Sequence, residues 1–392
     1  MSRLEELIQQ LCPDGVEWKK LNDVGDFFGG LTGKSKNDFI DGNAVFITYS
    51  NIYANPALNI NIDEKVKINE GEKQNIVQYG DILFTGSSET PEECGMSSVV
   101  TKKPSENMYL NSFCFGLRPF DLNKYNLDYL KHVLRCEAIR KEICKTANGV
   151  TRYNVSKKKL GEIAIPLPPL PVQEEIVRIL DTFTESTNNL KEQIQTRRKQ
   201  YEYYRDQLLD LDGKEGVEMK TLGDMCVLGT GSHNTQDGLS EGQYPFYTRG
   251  SEILYLNNFD YDETAIITAG DGAGVGKVFH YVQGKYALHQ RAYRIVRDEK
   301  KVLARFVYYY IEATFYNYIM RNSVSSSVVS IRRPMMVNYP VPRPPLAEQQ
   351  RIVDILDQFE ASMANLEAQL KQRQKQYEYY RNQLLDFKRK EV

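Results

Sequence analysis

The sequence has no excess of positive charge: 50 Lys and Arg stand against 52 Asp and Glu, a formal net charge of −2. A chain that wraps nucleic acid unaided neutralises phosphates with surplus Lys and Arg, so that class is disfavoured unless partners supply part of the charge. No run approaches the ~18 consecutive apolar residues of a membrane span. The opening MSRLEELIQQLC is polar and amphipathic rather than a basic start followed by an apolar core. A cytoplasmic chain, neither exported nor membrane-spanning, is expected. The six cysteines, at 12, 94, 114, 136, 144 and 226, form no C-x-x-C pair, and the four histidines, at 132, 233, 280 and 289, show no ligand spacing. This reads as a reducing compartment, thiols that mostly pack, and no metal.

Catalytic signatures are missing too. Gly270, Gly272, Gly274, Gly276 and Lys277 suggest a phosphate loop, but Asp271 stands where that loop needs Gly and Val278 where it needs Ser or Thr. The dinucleotide fingerprint fails by one residue at Gly276, so a tight turn or a close backbone approach is expected here. An amine methyltransferase would need a polar-Pro-Pro-aromatic loop; Asn55-Pro56-Ala57-Leu58 lacks the second Pro and the aromatic. No G-x-S-x-G occurs, no His stands out as a base, and the carboxylates are unpatterned.

What is present is a repeat. Pro168 to Asp210 and Pro344 to Asp386 align without a gap at an offset of 176 and agree at 26 of 43 positions. Each copy opens on a double proline and continues in good helix formers. In the first copy Ile176, Phe183, Leu190 and Tyr204 belong to one sevenfold series, and Leu180, Ile194, Tyr201 and Leu208 to another four residues on. The second copy keeps the register, with Ile352, Phe359, Leu366 and Tyr380 in one series and Leu356, Met363, Leu370, Tyr377 and Leu384 in the other. Sustained heptads mark a coiled-coil seam. About 38 helical residues make a rod of roughly 57 Å, matched in length by its copy, so the two read as partners.

The repeat extends further. Gly15, Val16, Glu17, Lys19, Leu21 and Asp23 recur 201 residues on, from Gly216 to Asp224, and Leu7 and Ile8 fall on Leu208 and Leu209, so the N-terminal segment imitates a helix end. The strand-like runs Gly80 to Gly86 and Thr264 to Gly270 correspond at about 184. The helical face Leu127, Leu130, Val133, Leu134 and Ile143 corresponds to Leu303, Phe306, Tyr309, Tyr310 and Ile319 at 176. The second half is thus shorter by 201 − 176 = 25 residues, lost between the anchors. Two mixed modules of one fold are expected, with turns at Asp41-Gly42-Asn43 and Gly229-Thr230-Gly231, one helix near the end of each, and a loose tail over the last few residues. The division is an N-terminal helix over 1–14, a first module over 15–165, a first long helix over 166–212, a second module over 213–342 and a second long helix over 343–392.

The loops carry residue types that bond bases or phosphates. In the first module these are Thr85, Ser87, Ser88, Lys102, Lys103, Arg118, Arg152 and Tyr153; in the second, Ser232, His233, Asn234, Arg249, Lys277 and Arg291. Each alone also fits a solvated surface. The words Tyr201-Glu202-Tyr203-Tyr204-Arg205 and Tyr377-Glu378-Tyr379-Tyr380-Arg381 place Tyr203, Arg205, Tyr379 and Arg381 off the seam, as candidates for docking a partner.

These features together resemble the DNA-specificity subunits of type I restriction-modification systems: Pro13 to Trp18 with Lys19 to Leu21, Ile165 to Leu170 with Gln173 and Ile176, and the copy from Pro342 to Gln349. The resemblance implies an α+β chain in which two mixed α/β target recognition domains alternate with two long helices paired as an antiparallel coiled coil, with pseudo-two-fold symmetry. It implies a non-catalytic subunit that binds a bipartite double-stranded DNA target and docks two methyltransferase subunits and restriction subunits. S-adenosylmethionine, ATP and Mg would then sit on those partners and no cofactor on this chain. No family binding motif can be carried onto the variable loops. Two rivals remain: a duplicated coiled-coil scaffold that binds proteins, which the charge of −2 favours, and a self-sufficient methyltransferase.

Overall fold

The structure is a computed structural model and describes residues 2–297, 300, 302–322 and 330–390. Its contacts divide the chain into two compact units, Met1–Leu190 with Gln369–Val392, and Lys191–Ala368. Where the sequence suggested boundaries between module and rod, the units instead share out each long helix, Leu170–Leu209 and Leu346–Leu384. Burial explains this. Ile176 and Leu180 are closed off in the core of the first unit together with Leu385, while Tyr201 and Leu209 lie in the core of the second with Ile352 and Leu356.

Within each unit the two helices pair. In the first, Phe183 stacks on Tyr380 with centroids 5.2 Å apart, and Arg373 lies 5.7 Å over the Phe183 ring. In the second, Tyr201 and Tyr204 face Phe359 at 6.2 and 5.6 Å, and Arg198 lies 4.0 Å from Glu367. Residue 198 meets 367 and residue 204 meets 359, so rising numbers on one helix oppose falling numbers on the other and the pair is antiparallel. The seam is unevenly covered. Phe183, Leu190, Ile194, Leu208, Met363, Leu366, Leu370 and Leu384 are half-buried, and Tyr204 and Tyr380 remain 46% and 43% exposed. Two helices alone cannot enclose a seam side chain; enclosure is complete only where a module lies against it.

The modules share a hydrogen-bonded frame. The main sheet of the first runs Gly25–Gly29, Cys114–Pro119, Ile82–Thr85, Ser97–Val99; that of the second runs Cys226–Thr230, Ala292–Arg297, Tyr261–Ala269, Phe279–Leu288, Tyr244–Tyr247, Ile253–Leu256. Registers correspond. Cys114 opposes Thr85 as Ala292 opposes Ala269, and Ile47 pairs in parallel with Leu110 as Tyr247 does with Leu288. The ten-residue strand Phe279–Leu288 replaces two short strands of the first module, Ser97–Val99 and Met108–Leu110, whose connection carries Lys102 and Lys103. Extra length thus falls between anchors, as expected. Gly229 and Thr230, expected in a turn, instead complete a strand, and Gly231 follows because a Cβ there would meet Leu288 O at 1.8 Å.

One clamp recurs unchanged. Gln173 Oε1 accepts from Asn126 N (2.8 Å) while its Nε2 donates to Pro168 O (2.7 Å). Gln349 Oε1 accepts from Leu303 N (2.8 Å) while its Nε2 donates to Pro344 O (2.8 Å). Both side chains are buried, where an unpaired amide would cost about 1–3 kcal/mol. The clamp ties the start of each long helix to the helix of its module. That module helix differs: in the second it is continuous over Ala304–Asn322, whereas in the first it breaks into Leu127–Val133 and Glu137–Cys144. The apolar faces named from sequence are buried in both cores, with Leu303 and Tyr310 packed at the edge of the second.

The N-terminal helix Arg3–Leu11 joins the first core, with Leu7 and Ile8 packed against it where Leu384 and Phe387 also pack. Beyond the end of the second long helix, Val16 N donates to Lys388 O (2.9 Å) and Lys390 N to Val16 O (3.0 Å), so the expected loose tail is pinned as far as 390; residues 391 and 392 lie outside the described residues. The six cysteines are free thiols, five of them buried. Among the described residues no helix is long and apolar enough to cross a membrane.

Candidate nucleic-acid interface

In the first module two half-buried arginines, Arg135 and Arg140, shape the loops. Arg135 Nε donates to Ser97 O (2.8 Å) and its Nη2 to Ile52 O (2.8 Å), the latter in the short helix Tyr49–Ala54. Burial pushes its guanidinium down to about 10. Arg140 donates to Gly95 O (2.6 Å), Cys94 O (2.6 Å) and Glu92 O (2.8 Å). Both spend their charge on backbone carbonyls and so hold the loops that precede them in the chain. Sequence reasoning missed them because nothing local marks an arginine whose partners lie 38 to 83 residues away.

Several candidates are corrected by their surroundings. Thr85 is fully buried and its hydroxyl accepts from Met96 N (2.9 Å), so it braces a strand and cannot reach DNA. Arg118 grips both oxygens of buried Asp81 through Nε (2.8 Å) and Nη2 (2.7 Å) and also donates to Ile76 O, which leaves little of its fork. Ser87 is buried, and Ser88 Oγ donates to Glu93 (3.1 Å). Tyr153 pairs with Ser88 between strands. Arg152 faces outward: its guanidinium lies 5.0 Å over the ring of exposed Phe113, with Nε donating to Ser87 Oγ at 3.2 Å. Lys102 and Lys103 are exposed on the connection between Ser97–Val99 and Met108–Leu110.

In the second module the candidates converge. His233 N donates to Leu288 O and its Nε2 meets Asp260 at 3.1 Å, while Gln290 Nε2 donates to Asn234 Oδ1 at 2.5 Å, next to exposed-loop residue Ser232. One residue on, Arg291 Nη1 donates to Asp271 Oδ2 (2.8 Å), and Arg249 Nη1 donates to Asp271 Oδ1 (2.9 Å). Burial alone would raise the Asp271 carboxyl, but the two guanidinium groups outweigh it and hold it below the usual carboxylate range. The glycine cluster is a turn, with Gly272 and Gly276 at φ +80° and +68°, and Gly274 lies so near Arg249 O that a Cβ would stand 2.3 Å away. Lys277 leaves this turn to lie 5.4 Å over Tyr316.

The long helices meet the modules at two matching carboxylates, Asp181 and Asp357. Asp181 takes Lys131 Nζ (3.0 Å) and His132 Nε2 (3.1 Å), and His132 Nδ1 lies 2.9 Å from Tyr377 OH. Asp357 takes Arg305 Nε (2.9 Å) and Tyr309 OH (2.5 Å), and Arg305 also binds Glu360. Of the four docking candidates, Tyr203 and Tyr379 point outward, each edge-on to its neighbour with centroids 5.4 Å apart. Arg205 and Arg381 instead fold back over Tyr201 and Tyr377, at 5.7 and 5.4 Å, and are half-buried. Among the described residues no group of three or more His, Cys, Asp and Glu could hold a metal ion.

Comparison with known proteins finds the family model described as the type I restriction modification DNA specificity domain matching twice, over residues 13–197 and 214–375. The specificity subunit of the Escherichia coli type I restriction enzymes EcoR124I/EcoR124II is 34% identical over 271 residues, 61% of this chain and 66% of that subunit, just under two thirds of its length. Among solved structures, the S subunit of a type I restriction-modification system from M. genitalium matches with a TM-score of 0.57 at 15% identity, covering 95% of this chain and 96% of that one. A chain from a study of complex assembly and conformational transition in the type I system matches with a TM-score of 0.61 at 17% identity, covering 95% and 97%.

Proposed function

Because the chain belongs to the family of type I restriction-modification DNA-specificity proteins, we propose that it is the sequence-specificity subunit of such a complex, each module reading one half of a split double-stranded DNA target. The observation that carries this is one backbone frame built twice with unlike loops: matching strand registers and matching Gln173 and Gln349 clamps, but Arg152–Phe113 in the loops of the first module and Arg249–Asp271–Arg291 in those of the second. A shared frame with different tips suits two different sequences. The chain performs no chemistry in this reading. Methyltransferase subunits dock on the paired helices, with the outward Tyr203 and Tyr379 offering the same surface twice, which suits two copies of one partner. S-adenosylmethionine belongs to those subunits, ATP and Mg to restriction subunits, and the site of action is the cytoplasm.

The test combines the chain, its methyltransferase, S-adenosylmethionine and genomic DNA. Methylated adenines should fall in a motif of two unlike half-sites with a spacer, and exchanging residues 216–342 for a relative's module should change one half only. Methylation by the chain alone, a contiguous motif, or a change in both halves overturns the reading.

A further inference from the structure

The hydrogen bonds that frame the two modules identify which loop positions are equivalent. Gly86 N donates to Phe113 O (2.7 Å) as Gly270 N donates to Arg291 O (2.8 Å). Val155 N donates to Gly86 O (2.9 Å) as Ile331 N donates to Gly270 O (2.8 Å). Asn111 N donates to Ile47 O (3.1 Å) as His289 N donates to Tyr247 O (3.0 Å), and each of these strands continues into a threonine, Thr48 or Thr248. Phe113 and Arg291 are therefore equivalent as anchors, Ser87 and Asp271 as the residues after Gly86 and Gly270, and Tyr49 and Arg249 as the residues after Thr48 and Thr248.

In both modules these three positions belong to one cluster, directly linked in the second and joined through Arg152 in the first. In the first, Tyr49 OH donates to Ser87 O (2.8 Å), and Arg152 bridges the Ser87 hydroxyl and the Phe113 ring. In the second, one carboxylate, Asp271, receives a single N–H from each of two arginines whose side chains are 41% and 62% exposed. Two other arginine–carboxylate pairs within the modules behave differently. Arg118 gives two N–H groups to Asp81, and Arg294 is largely covered, lying against Glu263 beneath Tyr261. Arg249 and Arg291 each give Asp271 one N–H, from Nη1, so the other donors of each guanidinium are not used on that carboxylate. A guanidinium fixed in this way presents two parallel N–H groups with little rotamer freedom left to lose. The base edge that matches is guanine in the major groove, with acceptors at O6 and N7.

We propose that these three frame-equivalent positions are the base-reading positions of the modules, and that Arg249 and Arg291, buttressed by Asp271, read guanine in the half-site of the second module. This rests on the chain being a reader of split DNA targets. The first module has Tyr49, Ser87 and Phe113 at the same places and so cannot make that contact, and the two half-sites differ at the corresponding base pair. A phosphate would satisfy the same two N–H groups, so the experiment separates base from backbone.

The full chain with its methyltransferase selects duplexes from a randomised DNA library, followed by titrations of the selected duplex and of unrelated duplex at several salt concentrations. Wild type should yield two half-sites, one containing guanine. Arg291→Lys and Arg249→Lys keep the charge and lose the fork; each should relax guanine preference roughly five- to a hundredfold at one base pair, with the other half-site, the spacer and the salt slope unchanged. Asp271→Asn should relax the same base pair less. The unchanged half-site reports that the subunit is folded and assembled. If the variants weaken all duplexes alike, or Arg291→Ala lowers the salt slope by about one without altering the motif, the arginines grip phosphate and the proposal fails. An unaltered motif and affinity also overturn it. A wild type that selects no pair of half-sites overturns the underlying function instead.

Discussion

Asp181 and Asp357 occupy the same place on two copies of one helix, yet their partners have little in common. At the first, a lysine and a histidine approach the carboxylate, and a tyrosine from the second long helix completes the set. At the second, one arginine spans Asp357 and Glu360 with its guanidinium packed among Tyr281, Tyr308 and Tyr309 at 4.7–5.0 Å. What duplication has preserved is the carboxylate on the long helix and the buried Gln clamp about two turns before it; what it has let drift is the module side. A junction therefore needs a donor opposite the carboxylate, and the identity of the donor is free. The same holds at the tips, where Phe113 and Arg291 share a backbone position.

The comparison is broken most severely by charge in the shared part. Leu180→Asp and Leu356→Asp place a carboxylate at two equivalent sites with no exposure, and each should cost about 3–5 kcal/mol. Hydrogen exchange should lose protection first in the unit holding the substitution; equal loss in both units would show that the cores do not behave as separate units.

The unlike parts should respond unequally. Arg305→Ala strips Asp357 and Glu360 of their cation in a half-buried setting and should cost about 2–3 kcal/mol, whereas Lys131→Ala leaves His132 on Asp181 and should cost about 1 kcal/mol or less. Urea unfolding of the two variants settles the order, and equal losses would remove the distinction drawn between the junctions.

The smallest effect is in pH. Burial holds His132 below its ordinary value of 6.5, against the opposing pull of Asp181. The unfolded chain then binds the proton more readily than the folded one, so this contribution to stability is complete above about pH 6.5 and is lost as pH falls below it. Arg305 has no such titration in that range. His280 and His289 are also depressed by burial, so the test is a difference: between pH 7.5 and 5.5 wild type should lose more stability than His132→Gln, and identical losses would assign the whole effect to the second module.

Much of the frame was legible because it is periodic or duplicated. Heptads located the seam, and the offsets of 201, about 184 and 176 located strands and helices that the registers confirm. Two things were not legible. The break between Leu127–Val133 and Glu137–Cys144 carries no Pro or Gly, and only the folded core shows that Leu134 and Cys136 are buried there together. The roles of the loop residues were also hidden, because an Arg reads the same in sequence whether it grips Asp81 as Arg118 does or shares Asp271 as Arg291 does. Type and spacing identify capacity for contact; partners distant in sequence decide its use.

The strand-like closure of Lys388–Lys390 on Val16 and the place of Leu385 in the first core bear on how the chain is made. The second unit is contiguous, whereas the first is complete only once residues on both sides of it have been synthesised. From Leu190 to Lys390 is 390 − 190 = 200 residues, about 10–40 s of translation at about 5–20 residues per second. For that interval the first module, although made first, lacks its last wall, with Ile176 and Leu180 uncovered on that side. The unit that begins earliest in the sequence is thus the one that finishes folding last.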